Sequence, residues 1–319
     1  MAPGNEDPTV SVIIPTYNRA EMVDRAIQSV LDQTYQDFEL IVVDDASTDN
    51  TEESVKEFND SRIKYMCHAK NQGGSAARNT GIKVARGKYI ALLDSDDEWL
   101  LEKLAKQISL IEKAPQSVGM VYSGISYIDE NNDVLGHANP EHKGDIFRDI
   151  LIHPPLVTGG GSTALIKTSC FEKSGYFDET LPAAQDWDMW IRFAKNYEFD
   201  YVPDLLAKCR RHEDSITKNR RGKVKAFRTI LQKNENYFNK PEFRQGYSNI
   251  LHKMGKLLSY EGHTTRGKIY LWRSFRMRPQ VMTLFQFLLS LAGDKFYQSA
   301  IKVHQALRTS FRRIKKGLF

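Results

Sequence analysis

The residues best able to do chemistry are Asp94, Ser95 and Asp96, with Asp97 directly after them. They follow the apolar run Tyr89-Ile90-Ala91-Leu92-Leu93. An Asp-x-Asp just past a strand places two carboxylates on one turn. Carboxylate oxygens are hard ligands that suit Mg²⁺ or Mn²⁺, and such ions commonly bridge to phosphate oxygens of a substrate. A cation held there neutralises a departing diphosphate as a Lewis acid. Transfer of a group to a hydroxyl also needs a base for the hydroxyl proton, normally a carboxylate. Alone, however, an Asp-x-Asp is most often a solvated turn or a helix cap. Its surroundings must give it meaning.

Those surroundings alternate between two hydrophobic periods. Val10 to Ile14 is a β-branched apolar run ending at Pro15 and reads as a buried strand. Asn18 is placed to cap the helix that follows. Met22, Val23, Ala26, Ile27, Val30 and Leu31 recur at helical spacing and predict an amphipathic helix over 19–33. Phe38 to Val43 is a second strand, ending at Asp44-Asp45, and Asp49 or Thr51 starts the next helix. Ile63 to Met66 is a third strand. Asn71-Gln72-Gly73-Gly74 turns into a helix running through Arg78 to Val84, and Tyr89 to Leu93 is the fourth strand. Such β-α alternation with apolar strands predicts a mainly parallel sheet covered by helices on both faces. Ligands of these sheets bind beyond the carboxyl ends of the strands. Pro15, Asp44-Asp45 and Asp94-Ser95-Asp96 all lie at such ends.

The next stretch changes character. Glu102 to Ala114 reads as a helix and Val118 to Ile128 as a strand with alternating polar positions, followed by a hairpin turn at 129–133. Gly159-Gly160-Gly161-Ser162 reads as a flexible loop before the short strand Ala164 to Ile166. Asp186 to Ala194 is a helix with Trp187, Trp190 and Ile191 as its apolar face, and Leu205 to Cys209 is another strand.

Four segments together carry a resemblance. They are Val10-Ser-Val-Ile-Ile-Pro-Thr-Tyr-Asn18, Leu40-Ile-Val-Val-Asp-Asp-Ala-Ser-Thr-Asp-Asn-Thr51, Gly74-Ser-Ala-Ala-Arg-Asn-Thr-Gly81 and Tyr89-Ile-Ala-Leu-Leu-Asp-Ser-Asp-Asp97. In this order, followed by Gln185-Asp186-Trp187-Asp188 and Arg210-Arg211-His212, they resemble the inverting family-2 glycosyltransferases with the GT-A fold. The resemblance spans roughly residues 10–217. It implies a nucleotide-sugar donor, with uridine as the first base and guanosine or thymidine as alternatives. It implies a Mg²⁺ or Mn²⁺ cofactor and a saccharide or lipid-linked acceptor.

The resemblance also implies roles. Pro15 and Tyr17 lie against the nucleobase or ribose, and Asp45 hydrogen-bonds the base. Arg78 lies near the base or the phosphates. Asp94, with Ser95, serves the ribose or supports the metal. Asp96 binds the metal, His212 approaches it or the diphosphate, and Asp186 is the catalytic base. Each position has a plainer alternative: Pro15 as a strand end, Tyr17 as a core aromatic, Arg78 as a surface ion pair, His212 as a surface histidine. One of Asp44 and Asp45 is expected to cap a turn. Asp97 is left out of the metal site as a first-turn helix charge. Gln185 stands where the family often has Glu, and Asp188 rivals Asp186 as base unless it pairs with Arg192.

Two other functions compete. A haloacid-dehalogenase-like phosphatase would use Asp94 as nucleophile with Asp96, but that motif usually lies on the first strand, and here Glu98 stands where Thr or Val is usual. A non-catalytic nucleotide-binding scaffold would keep the sheet and lose the carboxylates.

Composition bounds the rest. The net charge of +5 conceals a split: 19 Lys and Arg face 34 Asp and Glu through residue 206, and 26 face 6 after it. The expected organisation is a disordered 1–9, a catalytic domain at 10–217 (10–97 for the nucleotide-sugar, 98–217 for the acceptor) and a basic helical region at 218–319. Three scattered cysteines, Cys67, Cys170 and Cys209, argue against a disulfide framework and a cysteine-based zinc site. No signal-peptide pattern opens the chain, so a cytoplasmic enzyme, not secreted, is expected. Val281 to Gly293 is apolar but short of the ~20 residues a spanning helix needs. Flanked by arginines, it suggests peripheral contact of 266–319 with an anionic membrane, against a packed cap or a homo-oligomer contact. Nucleic-acid binding is not expected, since no aromatic-basic recognition module is visible.

Overall fold

The computed structural model describes residues 7–154, 156–211 and 219–300. The chain divides into two compact units. The first takes residues up to 150, 155–180 and 185–215; the second takes 151–154, 181–184 and the chain from 216.

The first unit is built on one nine-stranded sheet. Its parallel half contains β1 (Val10–Thr16), β2 (Phe38–Asp44), β3 (Ile63–Cys67) and β4 (Tyr89–Leu92), in the order β3-β2-β1-β4. The other strands are β5 (Asp97–Trp99), β6 (Val118–Ile128), β7 (Val134–Ala138), β8 (Leu165–Lys167) and β9 (Glu198–Arg210). Beyond β4 the order is β8-β6-β9-β5, with β7 also beside β6. β8 is antiparallel to both β4 and β6, while β6 and β9 run parallel. The result is a mainly parallel, mixed α/β sheet, as the resemblance implies.

The helices of this unit are α1 (Ala20–Leu31), α2 (Thr51–Lys56), α3 (Gly74–Val84), α4 (Lys103–Lys113), the first four residues of α5 (Phe147–Ile152), α6 (Ser169–Ser174) and α7 (Gln185–Ala194). α1 buries Val23, Ala26, Ile27 and Val30, the i, i+3, i+4, i+7 stripe of a one-sided helix. It joins β1 and β2 in a core with Val12, Ile14, Leu40 and Val42 fully buried. α3 lies close against the sheet because Gly81 has no side chain. A Cβ there would stand 2.6 Å from Ile13 Cγ2 and 3.3 Å from Val43 Cγ2. Gly81→Ala is therefore expected to cost about 1–3 kcal/mol by overpacking. It would lower the urea midpoint at unchanged slope; an unmoved midpoint would contradict this packing.

The structure corrects three local expectations. Asn18 does not cap α1. It sits at φ 50°, and its Oδ1 accepts the Thr48 amide at 2.8 Å, lacing the turn after β1 to the turn after β2. The start of α1 is served from that second turn, where Asp49 accepts the Ala20 amide at 3.2 Å and Thr51 accepts the Arg19 amide at 3.0 Å. Asp97 is not a first-turn helix charge: it begins β5, opposite Cys209 of β9. The glycine run is not a loose loop, because Gly160–Thr163 is a 3₁₀ turn with Ser162 and Thr163 fully buried. Residues 1–6 lie outside the described residues.

The second unit is helical in its described part: α8 (Arg220–Lys233), α9 (Glu235–Phe238), α10 (Arg244–Tyr260), α11 (Thr264–Met277) and α12 (Val281–Leu291). α10 and α11 approach closely at Gly255, where a Cβ would stand 2.6 Å from Leu271 Cγ, with Ser248 and Ser274 bonded to one another at 3.0 Å. Among the described residues no helix is long and apolar enough to cross a membrane.

Candidate active site

β4 ends at Leu92 in the middle of the sheet, and the chain turns at once. The Asp97 amide donates to the Asp94 carbonyl at 2.9 Å, closing a tight turn that presents Asp94, Ser95 and Asp96. One carboxylate oxygen from each of Asp94, Asp96 and Asp97 lies within 4.8 Å of the others. Asp94 and Asp96 are half-buried, whereas Asp97 is buried.

Ser162 locks this turn from the glycine segment. Its hydroxyl accepts the Asp94 amide at 3.1 Å and donates to Asp97 Oδ2 at 2.6 Å. Its carbonyl accepts the Trp99 indole N–H at 2.7 Å. Asp97 Oδ1 also accepts the Arg210 amide at 3.3 Å. Burial, then the charges of Asp96 and Asp94, push Asp97 well above the ordinary carboxylate range, against hydrogen bonds from Ser162 and Cys209. Asp97 thus holds the turn from beneath.

Arg78 reaches the turn from α3, with Nη2 on Asp94 Oδ1 at 2.5 Å. Burial works against its charge, but Asp94, Asp186 and Asp96 more than offset that and hold its pKa above the ordinary value. The guanidinium therefore lies among acids from two distant parts of the sequence. Asp186 stands in the first turn of α7, where it accepts the Trp187 amide. Burial raises its pKa most; the Trp187 amide and Arg78 pull it back, and Asp94 adds to the rise. Its neighbour Asp188 is buried and takes Arg192 Nε at 3.0 Å, a helical i, i+4 pair. Gly160, at φ 58°, packs against Asp186, since a Cβ there would lie 3.0 Å from Asp186 Oδ2.

Asp44 and Asp45 divide their work. Asp44 caps its own turn, accepting the Ser47 amide and the Tyr65 hydroxyl, each at 2.8 Å. Asp45 is buried and gathers the loop before α3, accepting the amides of Gln72 at 2.8 Å and Gly73 at 2.6 Å. His68 Nδ1 bonds the same carboxylate at 2.7 Å, and its Nε2 bonds Thr80 Oγ1 at 2.9 Å. Three of the roughly four acceptor positions of Asp45 are thus occupied by its own chain. Pro15 is buried opposite Val43 of β2, beyond the last β4 pair at Ile13 and Leu92, so its missing N–H breaks no bond to β4. Tyr17 is 44% exposed at the tip of β1, not a core aromatic. His212 lies outside the described residues.

The structure therefore brings Asp94, Ser95, Asp96, Arg78 and Asp186 into one electrostatic neighbourhood, with Asp45, Pro15 and Tyr17 on the adjacent strand tips. Sequence reasoning missed Ser162, Gly160, His68 and the buried role of Asp97. The glycine run was the available signal, because three successive glycines permit a backbone to press against a side chain. The donor set fits a hard divalent cation. Its oxygen ligands are of the right type, and one carboxylate oxygen from each of the three aspartates can reach a common point.

Residues 11–175 match the model of "Glycosyl transferase family 2". An uncharacterized glycosyltransferase of Methanocaldococcus jannaschii is 33% identical over 249 residues, which are 73% of this chain and 82% of that one. The Escherichia coli UDP-Glc:alpha-D-GlcNAc-diphosphoundecaprenol beta-1,3-glucosyltransferase WfgD is 44% identical over 131 residues, 41% of this chain and 51% of its own. Among solved structures, the Pyrobaculum calidifontis mannosyltransferase PcManGT in complex with GDP-Man and Mn²⁺ superposes with a TM-score of 0.57 at 20% identity. That match covers 96% of this chain and 83% of that one.

Proposed function

The chain belongs to glycosyl transferase family 2, and from that premise we propose that it moves a sugar from a nucleoside-diphosphate donor to an acceptor hydroxyl with inversion. The donor is a UDP-sugar and the acceptor a glycan or a lipid-linked saccharide. The observation that carries this reading is the meeting of Arg78, Asp94 and Asp186 around the acidic turn after β4. Two comparisons support the details. The E. coli relative is named for a UDP-glucose donor and a diphosphoundecaprenol-linked acceptor. The archaeal mannosyltransferase of the same fold was solved with a nucleotide-sugar and Mn²⁺.

In this reading Asp96 holds Mg²⁺ or Mn²⁺ with help from Asp94 and His212. The bound ion supplies Lewis-acid neutralisation of the diphosphate. Tyr17 and Pro15 lie against the nucleobase or ribose, Asp45 accepts from the base, and Asp94 with Ser95 serves the ribose. Arg78 adds positive charge beside the diphosphate. The acceptor oxygen attacks the anomeric carbon, its proton passes to Asp186, and the bond from that carbon to the diphosphate oxygen breaks. Attack opposite the leaving group inverts the centre. A raised pKa suits Asp186 to take a proton near neutral pH. Peripheral contact of 266–319 with an anionic membrane forms the partner side of the same reading. The phosphatase alternative gives way to family membership and to an acidic turn on β4, the fourth strand.

A donor screen with Mn²⁺ or Mg²⁺, followed by nucleoside diphosphate release, tests this function. Full activity in excess EDTA would sink the metal assignment. Gly160→Ala places a methyl against Asp186 and strains a left-handed residue. It is expected to slow transfer about 10- to 100-fold through misplacement of the base. Wild-type turnover by that variant would remove Gly160 from the positioning of Asp186.

A further inference from the structure

Helix α12 is built inside out. Its polar side chains Thr283, Gln286 and Ser290 are the buried ones. Thr283 Oγ1 bonds His252 Nδ1 at 3.0 Å, and Gln286 accepts the Tyr297 hydroxyl. Five of its apolar side chains face outward, Val281 at 84% exposed and Met282, Phe285, Leu288 and Leu291 each about half exposed, while Leu284, Phe287 and Leu289 are partly buried. A soluble helix normally does the reverse. Trp272 of α11, itself 42% exposed, stands 5.1 Å from the Phe287 ring and extends the apolar face onto the next helix.

The same α11 that carries Trp272 also lines a cationic cleft. Arg273 and Arg276, next to Trp272 and one turn on from it along α11, line a cleft of about 530 Å³ with Lys240 and Arg244 over Phe238 and Tyr247. No acidic residue lines it. Among the described residues, no ion pair engages Arg244, Arg273 or Arg276.

We propose that this face of the helical unit docks onto an anionic lipid bilayer, with the apolar stripe of α12 in the interface and the cleft against headgroup phosphates. The proposal rests on the peripheral-membrane part of the reading above and on neither the donor nor the metal. α12 is about 16 Å long, too short to span a hydrocarbon core of about 30 Å, so it lies in the surface plane. An exposed tryptophan beside the stripe suits the headgroup level. Charge selects the occupant. A second copy packed symmetrically would present the same patch to itself, placing the uncompensated cations of both copies in one interface. A surface of lipid phosphates instead supplies the missing counter-charge.

The test is flotation of the full chain with vesicles of phosphatidylcholine alone and of phosphatidylcholine mixed with phosphatidylglycerol. The wild type should float only with the anionic vesicles. Phe285→Glu with Leu288→Glu, at exposed positions, should abolish flotation while nucleoside diphosphate release from a soluble donor and the unfolding midpoint stay unchanged. Arg273→Gln and Arg276→Gln should each weaken partitioning about fivefold. Failure to float, or flotation unaffected by the α12 changes, would overturn the proposal. So would a wild-type dimer that Phe285→Glu dissociates, since that would give the face to a second copy. A wild type that floats with the anionic vesicles but releases no nucleoside diphosphate from any donor would refute the catalytic reading and leave this one standing.

Discussion

Asp96→Ala is expected to stop glycosyl transfer, by about 10³-fold or more, because in the proposed mechanism several kcal/mol of Lewis-acid stabilisation of the diphosphate depend on a metal at Asp96. The loss should appear in binding as well as in rate. Asp96 is half-buried at the open end of β4, whereas Asp97 beneath it is already committed to Ser162 and the Arg210 amide. Removing Asp96 also removes one of the charges that push Asp97 upward. The variant should therefore fold normally and fail in chemistry. Nucleoside diphosphate release measured over a series of Mn²⁺ concentrations separates these points. Activity restored by more metal would demote Asp96 to one ligand among equals, and activity indifferent to metal would remove it from the metal site.

Asp186→Asn is expected to lower turnover about 10²- to 10⁴-fold, the usual worth of a general base, and to leave metal-dependent nucleotide binding intact. Equal loss of nucleotide binding in the two variants would contradict the division of roles. The pH dependence has a definite sign. A base must be ionised to work, and Asp186 is held above the ordinary carboxylate value by burial and by Asp94. Wild-type kcat/KM should thus fall on the acid side with an apparent pKa above that of a free aspartate. Stability runs the other way. A raised pKa means that ionisation costs fold stability: the contribution is present below the unfolded-state value and is lost as pH rises through the folded one. Asparagine keeps the cap on the Trp187 amide and carries no charge to bury. Asp186→Asn should therefore unfold at the same or a higher temperature near neutral pH; a clearly lower midpoint would contradict the burial cost.

Much of the fold was legible because it depends on periodicity. The apolar runs at β1, β2 and β4 and the helical stripe of α1 are written in residue type alone, and they place three acidic or ligand-competent turns at neighbouring strand tips. What sequence left unread depends on contacts between distant segments. Asp44 and Asp45 are the same residue type one position apart, and only Ser47, Tyr65, Gln72, Gly73 and His68 distinguish them. β5 is three residues long, too short for any period to declare it, so Asp97 read as a helix charge. Ser162 stands 65 residues from Asp97 and looked like loop filler, yet its hydroxyl ties the acidic turn together. Asn18 has the composition of a helix cap, but its left-handed backbone aims the side chain at Thr48 instead. α12 shows the limit differently. Its sequence declares an apolar helix, but not that the polar stripe is the one turned inward.

The most direct measurement of the central claim is calorimetric titration of the wild-type chain with UDP and GDP, in Mn²⁺ and in excess EDTA. A metal-dependent acidic turn predicts binding of one nucleotide in Mn²⁺, its loss in EDTA, and the same loss in Asp96→Ala with Mn²⁺ present. Binding of equal strength in EDTA, or undiminished binding by Asp96→Ala, would contradict a metal-centred donor site at Asp94-Ser95-Asp96.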